Sequence, residues 1–267
     1  MRWSEPRTGS STRCRRRDYE ETSSTPGTAV IIAVGGLIGT EQQWQAFDDR
    51  WRAKLKFPME GKPPLKEFGL SDCYNSRNEF ERYSRPESNF LTREFRQIIK
   101  ESGVIGFAAA IDKIAWDELV TAERRQNMGP AENFCLTTCV RNALSAAKSQ
   151  FNDDEVALVY DLGRKPVLPS RIEDFDWSRG IECPQVSSFT WAKVGNVTPL
   201  QGADMIATES YWFAQAWIKD PTAEPRIHFQ DYVKSALGNG TLMTREIIMR
   251  ELAHRNSGGT VKDAFRF

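Results

Sequence analysis

The sequence predicts a three-layer α/β domain in which helices cover a central sheet. Three apolar runs have the length and composition of buried strands, and they lie at 29–34, 104–111 and 156–160. Longer segments with apolar residues at helical spacing separate these runs. Strands that alternate with long helices are typical of α/β domains. The chain shows no internal repeat and no linker after residue 28, so residues 29–267 are predicted to form one domain with C-terminal helices.

The first predicted strand leads into an aromatic helix. Gly35 and Gly36 follow the apolar run and would permit a tight turn or the close approach of another backbone. Thr40 is a suitable N-cap for the helix, in which tryptophan and phenylalanine recur every three or four residues. Pro58 ends it. The spacing places these aromatic side chains in the core.

The remaining regular segments continue the alternation. Helical patterns follow the second strand, and a weaker strand follows the third. The predicted helices lie at 90–100, 116–125, 131–148 and 198–212, with the weaker strand at 186–191 and one or two further helices within 229–254.

Composition narrows the class of protein. Lysine plus arginine (36) equals aspartate plus glutamate (36), so the overall charge does not point to nucleic acid or to an anionic membrane. No apolar run reaches the roughly 20 residues that a membrane span needs, and no membrane association is predicted. The five cysteines are scattered and odd in number, which indicates free thiols in a reducing compartment and predicts a cytoplasmic location.

Residues 1–28 differ from the rest of the chain. They combine six arginines with serine, threonine, glycine and proline, and they carry too little apolar surface to order themselves. We therefore expect a disordered arm. A similar composition also occurs in organelle transit peptides and in nucleic-acid-binding tails, although four acidic residues weaken both alternatives.

One carboxylate stands out in the helix predicted at 198–212. Thr198 is a plausible N-cap and Pro199 a natural first helical residue, and Asp204 lies beside the apolar stripe that follows. An acid near a helix N-terminus is also stabilised by the helix dipole without having a function. Glu209 points elsewhere, because five residues correspond to a rotation of about 140° around a helix.

A second carboxylate, Asp161, ends the strand predicted at 156–160. Ligands of α/β sheets gather at the carboxyl ends of strands, so this position favours function. Asp161 and Asp204 together could hold Mg²⁺ or Mn²⁺ through oxygen ligands. Alternatively, Asp161 only begins a turn, as aspartate often does.

These segments together resemble the domain-of-unknown-function family 3800. The resemblance covers roughly residues 19–219 and is most specific in the Leu-Gln-x-Ala-Asp-x-Ile-Ala run at 200–207. It also includes the Gly-Gly-Leu-Ile-Gly run at 35–39, the tryptophan helix and the Val-Tyr-Asp run at 159–161. The family is similar in fold to the ribonuclease H-like superfamily. The resemblance therefore implies a three-layer ribonuclease H-like domain with a central mixed sheet, and a metal site for phosphoryl transfer on nucleic acid.

Residue by residue, the resemblance implies a metal site in which Asp161 and Asp204 are ligands. Glu20 or Glu21 would complete this site, and Asp72 would act as an auxiliary ligand or as a base that orients water. The implied protein is a Mg²⁺- or Mn²⁺-dependent nuclease whose partner is nucleic acid.

Two positions depart from the family pattern. Glu20 stands where the family has aspartate, and Gly69 where it tends to have histidine. The alternative is therefore a catalytically inactive nucleic-acid-binding or protein-binding module in which the acids serve as caps and turn residues.

Overall fold

Six strands form one mixed sheet with helices on both faces. The structure is a computed structural model that describes residues 10–18, 31–151, 155–161, 185–222, 224, 226, 229–230 and 237–256. The strands are β1 (Ser10–Asp18), β2 (Ile31–Gly39), β3 (Ile105–Asp112), β4 (Glu155–Asp161), β5 (Gln185–Ala192) and β6 (Leu237–Met243). The helices are α1 (Glu41–Lys56), α2 (Leu70–Tyr74), α3 (Arg85–Glu101), α4 (Lys113–Leu119), α5 (Ala122–Met128), α6 (Ala131–Ala146), α7 (Thr198–Lys219) and α8 (Arg245–Asn256). The predicted α/β class, with a mixed sheet flanked by helices, is confirmed.

The strand order across the sheet is β5-β4-β1-β2-β3-β6. β2 runs antiparallel to both of its neighbours, β1 and β3. The other pairs, β1 with β4, β4 with β5 and β3 with β6, are parallel. Five strands therefore share one direction, and their carboxyl ends lie at the same edge of the sheet.

The first strand corrects the prediction of a disordered arm. Residues 10–18 pair with β2 on one side and with β4 on the other, so the prediction for 1–28 is wrong for these nine residues. The remaining residues of that segment lie outside the described part of the chain. Backbone N–H and C=O groups make the ladder bonds whatever the side chains are, and a run of arginines therefore hides a strand from a search for apolar patterns.

β2 shows why its sequence is almost continuously apolar. Alternate residues face opposite sides of a strand. Ile32 and Val34 belong to the core that contains α6, whereas Ile31 and Ala33 pack with the residues of α7. Both faces of the strand are buried, so neither set of positions can be polar.

Two helices begin elsewhere than predicted. α3 starts at Arg85 because Ser84 and Glu87 form a capping box ahead of the apolar positions. In α7, Val197 is the N-cap and Thr198 is already helical. The Thr198 hydroxyl donates a hydrogen bond to Asp48 of α1 and so joins two helices.

The C-terminal region also differs from its prediction. The segment within 229–254 was expected to be helical, but β6 occupies 237–243 and adds an edge to the sheet beside β3. α8 follows it at 245–256. Among the described residues, Phe229 and Gln230 at the start of the predicted segment and α8 at its end are therefore helical, and β6 lies between them.

Two predictions from composition can be compared with the structure. Cys73, Cys135 and Cys139 are buried and free. Within the described ranges, no helix combines the length and the apolar character that a membrane crossing requires. The cytoplasmic location stays a prediction.

Candidate functional site

α7 reaches the centre of the sheet through a contact between two backbones. A Cβ atom added at Gly35 of β2 would lie 2.3 Å from the Ala207 nitrogen and 2.8 Å from the Ala203 carbonyl oxygen. In the same way, the absence of a Cβ at Gly202 leaves room for the side chains of Leu37 and of Phe47 in α1. Of the two roles that the sequence offered for the glycines of β2, the structure gives Gly35 the close backbone approach.

Gln201 fixes the start of α7 to its surroundings. Its Oε1 accepts hydrogen bonds from Trp51 Nε1 and from the Phe68 backbone N–H, each at 2.8 Å. Its Nε2 donates to the Val194 carbonyl at 3.4 Å. The side chain is fully buried, with 0% of its surface exposed. The polar residue of the Leu-Gln-x-Ala-Asp run therefore joins α1, α7 and the loop before α2.

Asp204 and Asp161 lie on two elements that both contact β1. α7 packs over β1, β2 and β3, and Asp204 is buried in it with 0% exposure. β4 pairs with β1, and Asp161 is its last residue, 7% exposed, at the carboxyl edge. Both of these elements therefore contact β1.

The register between β1 and β4 shows which β1 residue neighbours Asp161. Cys14 pairs with Tyr160, so the next β1 position, Arg15, is level with Asp161. On the other side Arg15 pairs with Gly35, the residue that α7 approaches. Glu20 and Glu21, which were predicted to complete the site, lie outside the described residues.

Asp72 lies on α2, which packs against α3 and α7. It is partly exposed, and its Oδ2 accepts a hydrogen bond from Asn78 Nδ2 at 3.1 Å. In the part of the chain that the structure describes, no three histidine, cysteine, aspartate or glutamate side chains form a group that could hold a metal ion.

Sequence analysis missed a buried ion pair between α7 and α3. Glu209 of α7 is 1% exposed, and its Oε1 lies 3.7 Å from Arg96 Nη2 of α3, which is 7% exposed. Burial raises the pKa of Glu209, and the charges of Arg226 and Arg96 oppose that rise. The angle from Asp204 correctly placed Glu209 on another side of the helix, but α7 is covered on that side too. No local sequence pattern could have shown that this side of α7 is also covered.

Comparisons of the chain with protein-family models, with curated proteins and with solved structures give no match.

Proposed function

We propose that this chain is a Mg²⁺- or Mn²⁺-dependent phosphodiester hydrolase, a nuclease of the ribonuclease H-like type. One observation carries the proposal: β4, which ends at Asp161, and α7, which carries Asp204, both contact the same strand, β1. The resemblance assigns these two acids to the site. The carboxyl edge of such a sheet is where ligand chemistry gathers.

The order of the strands supports the proposed fold type. β1, β2 and β3 form an antiparallel meander, and β4 and β5 continue in parallel on the other side of β1. Only β2 is reversed. Ribonuclease H-like folds have this arrangement, to which β6 adds a strand beyond β3.

The donor atoms present suit a hard divalent cation. Asp161 and Asp204 supply carboxylate oxygens, the ligands that Mg²⁺ and Mn²⁺ prefer. Glu20 or Glu21 would add a further carboxylate, and Asp72 would be an auxiliary ligand or would orient a water molecule. When bound, the metal would stabilise the attacking and leaving oxygens of the phosphodiester.

The alternative is a catalytically inactive binding module in which the acids serve as caps and turn residues. Glu20 and Gly69, which depart from the family pattern, favour it. In this alternative, the inactive module would bind nucleic acid or protein.

Calorimetric titration with Mn²⁺ tests the metal site. We expect wild type to bind Mn²⁺ and both Asp161→Asn and Asp204→Asn to lose at least tenfold in affinity. Asp49→Asn removes an exposed carboxylate from α1 and serves as the matched control. Urea unfolding of each variant shows that the loss is not caused by misfolding. Negligible heats for wild type and variants alike would overturn the metal site.

Incubation with single-stranded and double-stranded DNA and RNA tests the reaction. We expect cleavage that requires Mn²⁺ or Mg²⁺ and that disappears in Asp161→Asn. Metal binding without cleavage of any of the four substrates would establish the inactive module instead.

A further inference from the structure

Two arginines and two aromatic rings form a cluster on the outer side of α7. Tyr74 and Trp212 have ring centroids 5.0 Å apart. The Arg226 guanidinium lies 4.6 Å from the Tyr74 centroid and 4.4 Å from that of Trp212, and Arg85 lies 3.5 Å from Tyr74. Arg85 is exposed and the other three are partly exposed. We call these four residues the arginine–aromatic cluster.

Separate elements hold the cluster together. Tyr74 ends α2, Trp212 belongs to α7 and Arg85 begins α3. An Arg85 N–H donates to the Tyr74 carbonyl at 2.5 Å. Arg226 follows α7, and its carbonyl accepts the backbone N–H of Phe229, whose ring stacks on Phe213 of α7 at 4.8 Å. The two guanidinium groups are therefore positioned by the fold itself.

The cluster carries positive charge that its surroundings only partly balance. Glu209, buried beneath it, interacts electrostatically with both Arg226 and Arg96. Among the residues that the structure describes, no carboxylate lies within salt-bridge distance of Arg85 or Arg226. Guanidinium groups held against rings keep their in-plane N–H donors directed outwards, and such donors match phosphate oxygens.

We propose that the arginine–aromatic cluster binds single-stranded nucleic acid through its phosphates and bases. Interleaved cations and aromatic planes are the combination with which proteins bind unpaired strands, since bases stack on rings and guanidinium planes. A duplex hides its base faces and offers only phosphates. Because the guanidinium groups are already positioned, little side-chain entropy is lost on binding.

The position of the cluster connects it with the acidic site. Trp212 follows Asp204 by eight residues, about 12 Å along the axis of a helix. Tyr74 lies two residues from Asp72, the predicted auxiliary ligand. The idea that a bound strand extends from the cluster to the acids rests on the proposed function. Binding of a strand by the cluster itself does not depend on the proposed function.

Fluorescence anisotropy with labelled 12-nucleotide strands tests the cluster. The strands are DNA and RNA, each compared with its duplex, and EDTA is present so that binding is measured without cleavage. We expect wild type to prefer the single strands, and the double variant Arg85→Gln/Arg226→Gln to weaken their binding at least tenfold. The slope of log Kd against log salt should fall by about 1.4 for two lost phosphate contacts.

Arg93→Gln is the matched control, because Arg93 is an exposed arginine 5.4 Å from the Phe90 ring on α3. It should bind the single strands like wild type. Failure of wild type to bind, tighter binding of duplexes, or equal weakening by Arg93→Gln would each overturn the proposal. Binding of single strands by a protein that does not cleave them would support the proposal for the cluster and would count only against the proposed nuclease activity.

Discussion

Gln201 is a single polar residue on which several elements depend. Its Oε1 is the acceptor for both Trp51 Nε1 and the Phe68 N–H, in a place where water cannot replace it. Gln201→Leu would leave two buried donors without an acceptor, each at a cost of about 1–3 kcal/mol. We expect a loss of about 3 kcal/mol in the free energy of unfolding.

Urea unfolding measures this loss. Gln45→Leu is the control, since Gln45 is exposed on α1 and bonds to Asp49, four residues on in the same helix. Its effect should stay within about 0.5 kcal/mol. Equal stability of Gln201→Leu and wild type would show that the two hydrogen bonds contribute nothing net.

Glu209 should make the free energy of unfolding fall as pH rises, which is the opposite of the usual effect of a carboxyl group. Burial raises its folded-state pKa above the ordinary value of a glutamate, despite the opposing charges of Arg226 and Arg96. Below the unfolded-state pKa both states hold the proton. As pH rises, the unfolded state releases the proton first, so the free energy of unfolding falls until pH passes the folded-state pKa.

Glu209→Gln removes this contribution because glutamine resembles the protonated acid and does not titrate. Wild type and variant should have similar unfolding free energies near pH 4, and the variant should become the more stable of the two as pH rises to 8. Denaturant titrations across this range measure the difference. A difference that shrinks with rising pH would mean that Arg96 and Arg226 lower the pKa more than burial raises it.

At the scale of elements, the contact between β2 and α7 determines where Asp204 lies. Gly35→Ala would put a Cβ within 2.3 Å of the Ala207 nitrogen, and neither backbone can yield locally. Overpacking usually costs about 1–3 kcal/mol, and a clash between backbones belongs at or above the upper end. We expect about 3 kcal/mol or more of destabilisation in thermal or urea unfolding.

Gly69→Ala provides the comparison. A Cβ at Gly69 meets only Asp72, at 3.6 Å or more, and the backbone φ of −112° suits alanine. Its stability should stay within about 1 kcal/mol of wild type. If Gly35→Ala reduced the free energy of unfolding as little as Gly69→Ala, the close approach of α7 to β2 could not be what determines the position of this helix.

Across elements, prediction succeeded where side-chain burial is periodic. β2 and β3 are buried on both faces, β4 largely alternates buried with half-buried residues, and α1 exposes one side, so their sequence patterns indicate their structures. β1 and β6 were not predicted because backbone pairing, rather than apolar side chains, defines them. The same limit applies to the site: the sequence indicated Asp161 and Asp204, but nothing local indicated that their two elements both contact β1.

For the whole molecule, β1 separates β4 and β5 from β2, β3 and β6. Deletion of residues 1–18 would remove the strand that joins the two halves of the sheet. We expect this truncated chain to lose its cooperative unfolding transition, as measured by circular dichroism during heating. Deletion of residues 1–9 leaves β1 intact and should preserve the transition. Native-like unfolding of the shorter chain would restore the prediction that this segment is a disordered arm.

The sequence by itself determined the α/β class, the strands β2, β3 and β4, and the aromatic helix, and it singled out the two aspartates, because each has a local signature in apolar spacing or in position at the end of an element. The tertiary structure alone decided that residues 10–18 are the middle of the sheet, that Gly35 receives the backbone of α7, and that Gln201, Glu209 and the arginine–aromatic cluster lie where distant elements meet. These features depend on backbone pairing and on contacts between residues far apart in the chain, which leave no periodic trace in the residues themselves.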